Sequence, residues 1–91
     1  MKIKPFTDIA SHKTGGLVGL TKEDVEARIG FPPNVDDDPY KVRWSWGFTV
    51  DGEVCAVWDY KGSADYREWS AYGSDAALTK VFGNHYTKGA W

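Results

Sequence analysis

The sequence predicts an α+β fold, a small antiparallel meander of three to four strands with two short helices packed on one face. Three observations carry this. Between residues 41 and 61 apolar and polar side chains alternate in two runs separated by Asp51-Gly52, the pattern of a β-hairpin. Residues 22–29 and 75–82 hold apolar side chains at helical spacing, each between a Thr or Ser cap and a closing Gly. The order arm, helix, three strands, helix favours antiparallel neighbours with the helices covering one side.

Taken from the N-terminus, residues 3–11 suit an edge strand or extended arm, with Pro5 limiting how central it can be. Residues 12–19 contain Gly15, Gly16 and Gly19 and read as a flexible loop. Thr21 is the expected N-cap of the first helix, with Asp24 in the capping-box position and Leu20 and Val25 placed for a hydrophobic staple. Gly30 closes that helix and Pro32-Pro33 bars its continuation. A helix of two turns holds only by docking on the sheet. Residues 34–40, with Asp36-Asp37-Asp38, read as an acidic solvated loop that lacks the ligand spacing of a calcium loop. After the hairpin, residues 62–65 are a loop and 66–72 a third strand with Trp69 and Ala71 on one side. Ser74 caps the second helix, whose stripe is Ala77, Leu78, Val81 and Phe82, and Gly83 ends it. The chain thus divides into an arm and Gly-rich loop (1–20), a core (21–83) and a polar, aromatic tail (84–91) within one domain.

The hairpin register follows from parity. A two-residue Asp51-Gly52 turn sets even positions against odd ones, so that Trp44 would face Asp59 and Val42 would face Lys61. A three-residue loop, Val50-Asp51-Gly52, pairs Phe48 with Val54, Trp46 with Ala56, Trp44 with Trp58 and Val42 with Tyr60. It makes one face wholly apolar and sets Arg43 opposite Asp59 on the other. The three-residue loop is therefore expected, with Trp44, Trp46, Phe48 and Trp58 in the core and Lys41, Arg43 and Lys61 on the polar face.

Five Trp, five Tyr and four Phe in 91 residues exceed what a thin core can hide, which leaves rings for an interface or a ligand. A net charge of −2 argues against a duplex-DNA binder working through bulk charge. The charge is uneven: residues 21–40 set Lys22 and Arg28 against six carboxylates, while residues 1–20 set Lys2, Lys4 and Lys13 against Asp8. Cys55 stands alone, so no intrachain disulfide and no cysteine-based zinc site is expected. No apolar run has the length of a membrane span and no signal-like stretch opens the chain, so the expected location is cytoplasmic. No nucleotide-fold glycine motif, catalytic constellation or metal-ligand spacing is present, so neither an enzyme nor a cofactor is expected.

Trp58-Asp59-Tyr60-Lys61-Gly62, then Trp69-Ser70-Ala71-Tyr72-Gly73 and Phe82-Gly83, resemble a group of short orphan proteins of tailed bacteriophages, over about the second half of the chain. The resemblance implies a viral setting and carries no activity. The residue types point instead to binding. Lys61-Gly62-Ser63 sets an amine, a flexible backbone and a hydroxyl at a strand end, and His12 and Lys13 offer similar chemistry in the Gly-rich loop. Lys41 and Arg43 add cations, while Trp69 and Tyr72 add ring faces for stacking, beside Tyr60, Tyr66, Tyr86 and Trp91. These residues suit a small anionic nucleotide. The expected function is that of a homo-oligomeric sponge that sequesters a nucleotide-derived signal of a bacterial defence system without cleaving it. Two other readings stay open: an inhibitor or adaptor that binds a host protein through aromatic and acidic surface, and a single-strand nucleic-acid binder.

Overall fold

A computed structural model describes residues 1–8, 12–36 and 41–89. In chain order the elements are β1 (Ile3–Pro5), β2 (Gly15–Val18), α1 (Lys22–Ile29), β3 (Val42–Val50), β4 (Glu53–Tyr60), β5 (Glu68–Tyr72), α2 (Asp75–Phe82) and β6 (Tyr86–Lys88), with a 3₁₀ turn at Ser63–Tyr66. The fold is α+β, as expected. The sheet, however, has six strands in the order β1-β3-β4-β5-β2-β6, all pairs antiparallel. Only β3, β4 and β5 form a meander; β1, β2 and β6 extend it on both sides.

The two helices match their expected bounds because their caps are local. Thr21 Oγ1 accepts the Asp24 N–H at 3.2 Å and Asp24 Oδ2 accepts the Thr21 N–H at 3.0 Å, a complete capping box. Ser74 Oγ accepts the Ala77 N–H at 3.1 Å. Val25 and Ile29 of α1 and Ala77, Leu78, Val81 and Phe82 of α2 are buried in one core with the sheet. Four fully buried rings, Trp46, Trp69, Phe48 and Phe82, form its bulk. Each contributes an upper bound of about 4–6 kcal/mol from apolar area removed from water.

Residues 12–19 are not simply a flexible loop. Gly15–Val18 is a strand between β5 and β6, with Leu17 fully buried. The glycine at position 15 serves close approach: a Cβ there would stand 2.7 Å from Thr87 O and 2.7 Å from Tyr86 Cε1. The N-terminus is tied in as well. Asp51 donates its N–H to Lys2 O and accepts the Lys2 N–H on Oδ1, both at 2.8 Å.

The hairpin corrects the expected register. Asp51 and Gly52 lie at φ 50° and 87°, and Val50 pairs with Glu53, so the turn has two residues. Positive φ at both central positions gives the primed turn whose twist matches that of the strands. Phe48 faces Cys55, Trp46 faces Val57 and Ser45 faces Trp58. The register then shifts between Val42 and Ser45, and Val42 meets Tyr60, as the three-residue loop would also have it. Arg43 and Trp44 together oppose Asp59 in a β-bulge. Asp59 Oδ1 accepts the N–H groups of Arg43 at 3.0 Å and Trp44 at 2.8 Å, and Oδ2 accepts Arg43 Nε–H at 2.9 Å. The carboxylate is fully buried.

Two faces follow from this register. Trp46, Phe48, Val50, Cys55, Val57, Trp69, Ala71 and Leu17 point to the helices. By alternation, Ser45, Gly47, Ala56, Trp58, Tyr60, Ser70 and Tyr72 point to the other side, where no helix lies among the described residues. The indoles are therefore divided between the two faces, and the expectation of one apolar face holding Trp44, Trp46 and Trp58 together fails.

Candidate functional site

The residues expected to bind ligand do not form one cluster. Lys41, Arg43, Lys61 and Ser63 meet at the end of the hairpin remote from its turn, where Lys41 O accepts the Lys61 N–H at 2.6 Å. Tyr72 pairs with Ala56, four residues along β4 from Tyr60 and so roughly 13 Å away. His12 packs edge-on against the Tyr72 ring at 5.4 Å, and Lys13 beside it is half-buried.

Several of these side chains are already engaged. Arg43 pairs with Asp59 at 2.9 Å and Asp65 at 3.1 Å, and its guanidinium lies 4.5 Å from the Trp44 ring centroid. The hydrogen bond to Asp59 above all holds its pKa above the ordinary value. It sits with Trp44 at the rim of the core, not on the far face with the polar residues. Ser63 Oγ is covered and makes no hydrogen bond among the described residues, so the hydroxyl does not face solvent. Trp69 is fully buried, donates Nε1–H to Leu20 O at 2.8 Å and meets Trp46 edge-on at 5.6 Å. It is a core residue and offers no ring face. Lys41 and Lys61 remain exposed.

Two aromatics on the helix-free face complete the patch. Trp58, expected in the core, stands half-buried between Ser45 and Ser70 on the neighbouring strands. Trp46 and Trp69 donate their indole N–H groups to backbone carbonyls, whereas Trp58 Nε1 has no partner among the described residues. Tyr60, two residues on, is 44% exposed, and Lys61 Nζ lies 5.3 Å from its ring centroid. Tyr66, on the adjoining 3₁₀ turn, is 81% exposed. The patch Trp58, Tyr60, Lys61 and Lys41 thus combines ring faces with exposed cations. Its sequence signal was the Asp51-Gly52 dipeptide, whose preferred two-residue turn sends Trp58 outward.

The remaining features have other chemistry. A cleft lined by Glu23, Glu26, Ala27, Gly30, Phe31 and Pro32 has the wrong sign for an anionic ligand. Burial pushes the Cys55 thiol up to about 11, which keeps it protonated and unreactive near neutral pH. Burial and then the hydrogen bond to Asp75 push Tyr86 up to about 12. Among the described residues no three His, Cys, Asp or Glu side chains gather to hold a metal, and no helix is long and apolar enough to cross a membrane. Asp37 and Asp38 of the acidic loop, and Trp91, lie outside the described residues. Comparison with family models, with curated proteins and with solved structures finds no match to this chain.

Proposed function

We propose that the chain is a small phage accessory protein that acts by binding, sequestering a nucleotide-derived immune signal between copies of itself without turning it over. One observation carries the reading. On the helix-free face, the exposed Tyr60 ring lies under the Lys61 ammonium and two residues from Trp58, whose indole N–H has no partner among the described residues. A base stacks on such rings and a phosphate meets such cations. This patch replaces Trp69, Ser63 and Arg43 as the contact set and keeps Lys41 and Lys61. It is a wall rather than a pocket. A second copy supplies the opposing wall, which is why a homo-oligomer belongs to the reading. The net charge of −2 suits a small anion better than a long polyanion.

Thermal melts with a panel of cyclic dinucleotides and ADP-ribose test this. A ligand present at 100 times its Kd adds about 2.7 kcal/mol of stability, which moves the melting temperature by roughly 10–20 °C in a domain of this size. Trp58→Ala and Lys61→Ala are expected to remove the shift while leaving the unliganded melt within a few degrees. A flat response across the panel refutes the proposal. Light scattering that finds only a 10.2 kDa species removes the oligomer. Salt-dependent binding of single strands instead would favour a nucleic-acid binder.

A further inference from the structure

We propose that the cleft on the solvent side of α1 docks a cationic segment of a partner protein, taking a Lys or Arg whose stem lies on Phe31 and Pro32 and whose charge meets Glu23 and Glu26. This is independent of the nucleotide reading, since it uses a different surface of opposite sign.

The cleft measures about 410 Å³, and its lining holds two carboxylates, no cation, and an apolar floor of Ala27, Phe31 and Pro32. The carboxylates near it have different commitments. Asp24 is occupied by the capping box. Glu26 is partly neutralised by Lys22 at 2.9 Å. Glu23 is exposed and makes no ion pair or hydrogen bond among the described residues, so its charge is open to a visitor. The described part of this segment, residues 21–36, sets Lys22 and Arg28 against Glu23, Asp24, Glu26 and Asp36, a balance that attracts a cation.

The floor is held from beneath. Phe31 O accepts Trp46 Nε1–H at 2.9 Å. Asn34 clamps the following turn to β3, with its Nδ2–H donating to Gly47 O and its Oδ1 accepting the Gly47 N–H, both at 2.8 Å. Gly30, at φ 102°, reverses the chain between helix and floor, a conformation that suits glycine. A site fixed in this way needs little ordering on binding. The pairing of apolar floor and acidic rim selects a long side chain with an aliphatic stem and a charged head, presented on a peptide, over a bare inorganic cation.

Fluorescence anisotropy with a labelled peptide of alternating lysine and leucine tests the proposal, with a glutamate–leucine peptide of equal length as comparison. Saturable, salt-sensitive binding of the basic peptide alone is expected. Glu23→Gln is expected to weaken it about two- to fivefold, the range for an exposed ion pair. Ala27→Arg, which fills the cleft with a stem and charge of its own, is expected to abolish it. Lys22→Ala frees Glu26 and is expected to tighten binding, and Asp8→Asn, outside the cleft, to leave it unchanged. All four positions lie at the surface, so melts within a few degrees of wild type confirm the fold. Absence of saturation at millimolar peptide, equal binding of the acidic peptide, undiminished binding to Ala27→Arg, or spermidine binding as tightly as the peptide would each overturn the proposal.

Discussion

Replacing Asp59 by alanine removes the acceptor that serves two adjacent backbone N–H groups at the β3 bulge. Arg43 N–H and Trp44 N–H both end on Asp59 Oδ1, and Arg43 Nε–H ends on Oδ2, with the carboxylate fully buried. A buried donor left without a partner costs about 1–3 kcal/mol. The Arg43 side chain is 40% exposed, so its charge can turn to water and adds little to the loss. The expected cost of Asp59→Ala is therefore about 3–5 kcal/mol, a large part of the roughly 5–15 kcal/mol that holds a domain folded. Asp59→Asn keeps one oxygen for the two N–H groups and gives up only the ion pair, so it is expected to cost about 1–2 kcal/mol. Urea unfolding of the two variants against wild type measures both. Equal losses for alanine and asparagine, or a loss below about 1 kcal/mol for alanine, would refute the assignment of Asp59 as the bulge acceptor.

Other perturbations read other parts of the fold. Gly15→Ala sets a methyl 2.7 Å from Thr87 O, a backbone atom that moves only with β6, so it is expected to destabilise by about 1–3 kcal/mol in thermal melts. Asp24, Asp51 and Asp75 are held below their ordinary value of 3.8, by backbone hydrogen bonds from Thr21 and Lys2 and by the Tyr86 hydroxyl respectively. The unfolded chain therefore takes up protons first as pH falls. Their contribution is whole above about pH 4 and is lost as pH drops through the folded-state values; Asp51→Asn is expected to flatten that acid limb in melts from pH 5 to 2. Tyr86 titrates at about 12 in the fold against 10.0 ordinarily, so its contribution is whole below pH 10 and is lost as pH rises toward 12. Tyr86→Phe is expected to show a shallower alkaline slope than wild type by the same assay.

How much of the molecule the sequence disclosed depended on whether its cause was local. Thr21 with Asp24, Ser74 with the Ala77 N–H, and the closing Gly30 and Gly83 act within one or two turns, and both helices fall where their caps put them. Strands β2 and β6 depend on partners far along the chain: Gly15 and Gly16 look like a loop until Tyr86, Thr87 and Ala71 are seen on either side. The candidate patch was half legible. Lys41 and Lys61 were visible as exposed cations, but Trp69 and Trp58 exchanged roles, because which indole is buried is decided by pairing across strands rather than by residue type.

That exchange has one physical cause. Under a single register along the hairpin, the two-residue turn sets Val42 against Lys61, which disfavours it. The chain escapes the constraint by inserting one residue. A two-residue primed turn fixes Phe48 against Cys55 at one end, and the bulge at Arg43 and Trp44 restores Val42 against Tyr60 at the other. The insertion leaves two consecutive N–H groups out of the ladder on the same side, and a short acidic side chain opposite them is the cheapest acceptor. Asp59 is therefore a consequence of the Asp51-Gly52 turn at the other end of the β3–β4 ladder. The same bulge bears on the proposed patch. With Asp59 directed to the bulge, strand alternation directs Trp58 and Tyr60 to the helix-free face. A variant that loosens the bulge, such as Asp59→Ala at a temperature where it stays folded, is then expected to lose the nucleotide-dependent melting shift as well as stability. A full shift in that variant would separate the binding patch from the bulge and undo the link between them.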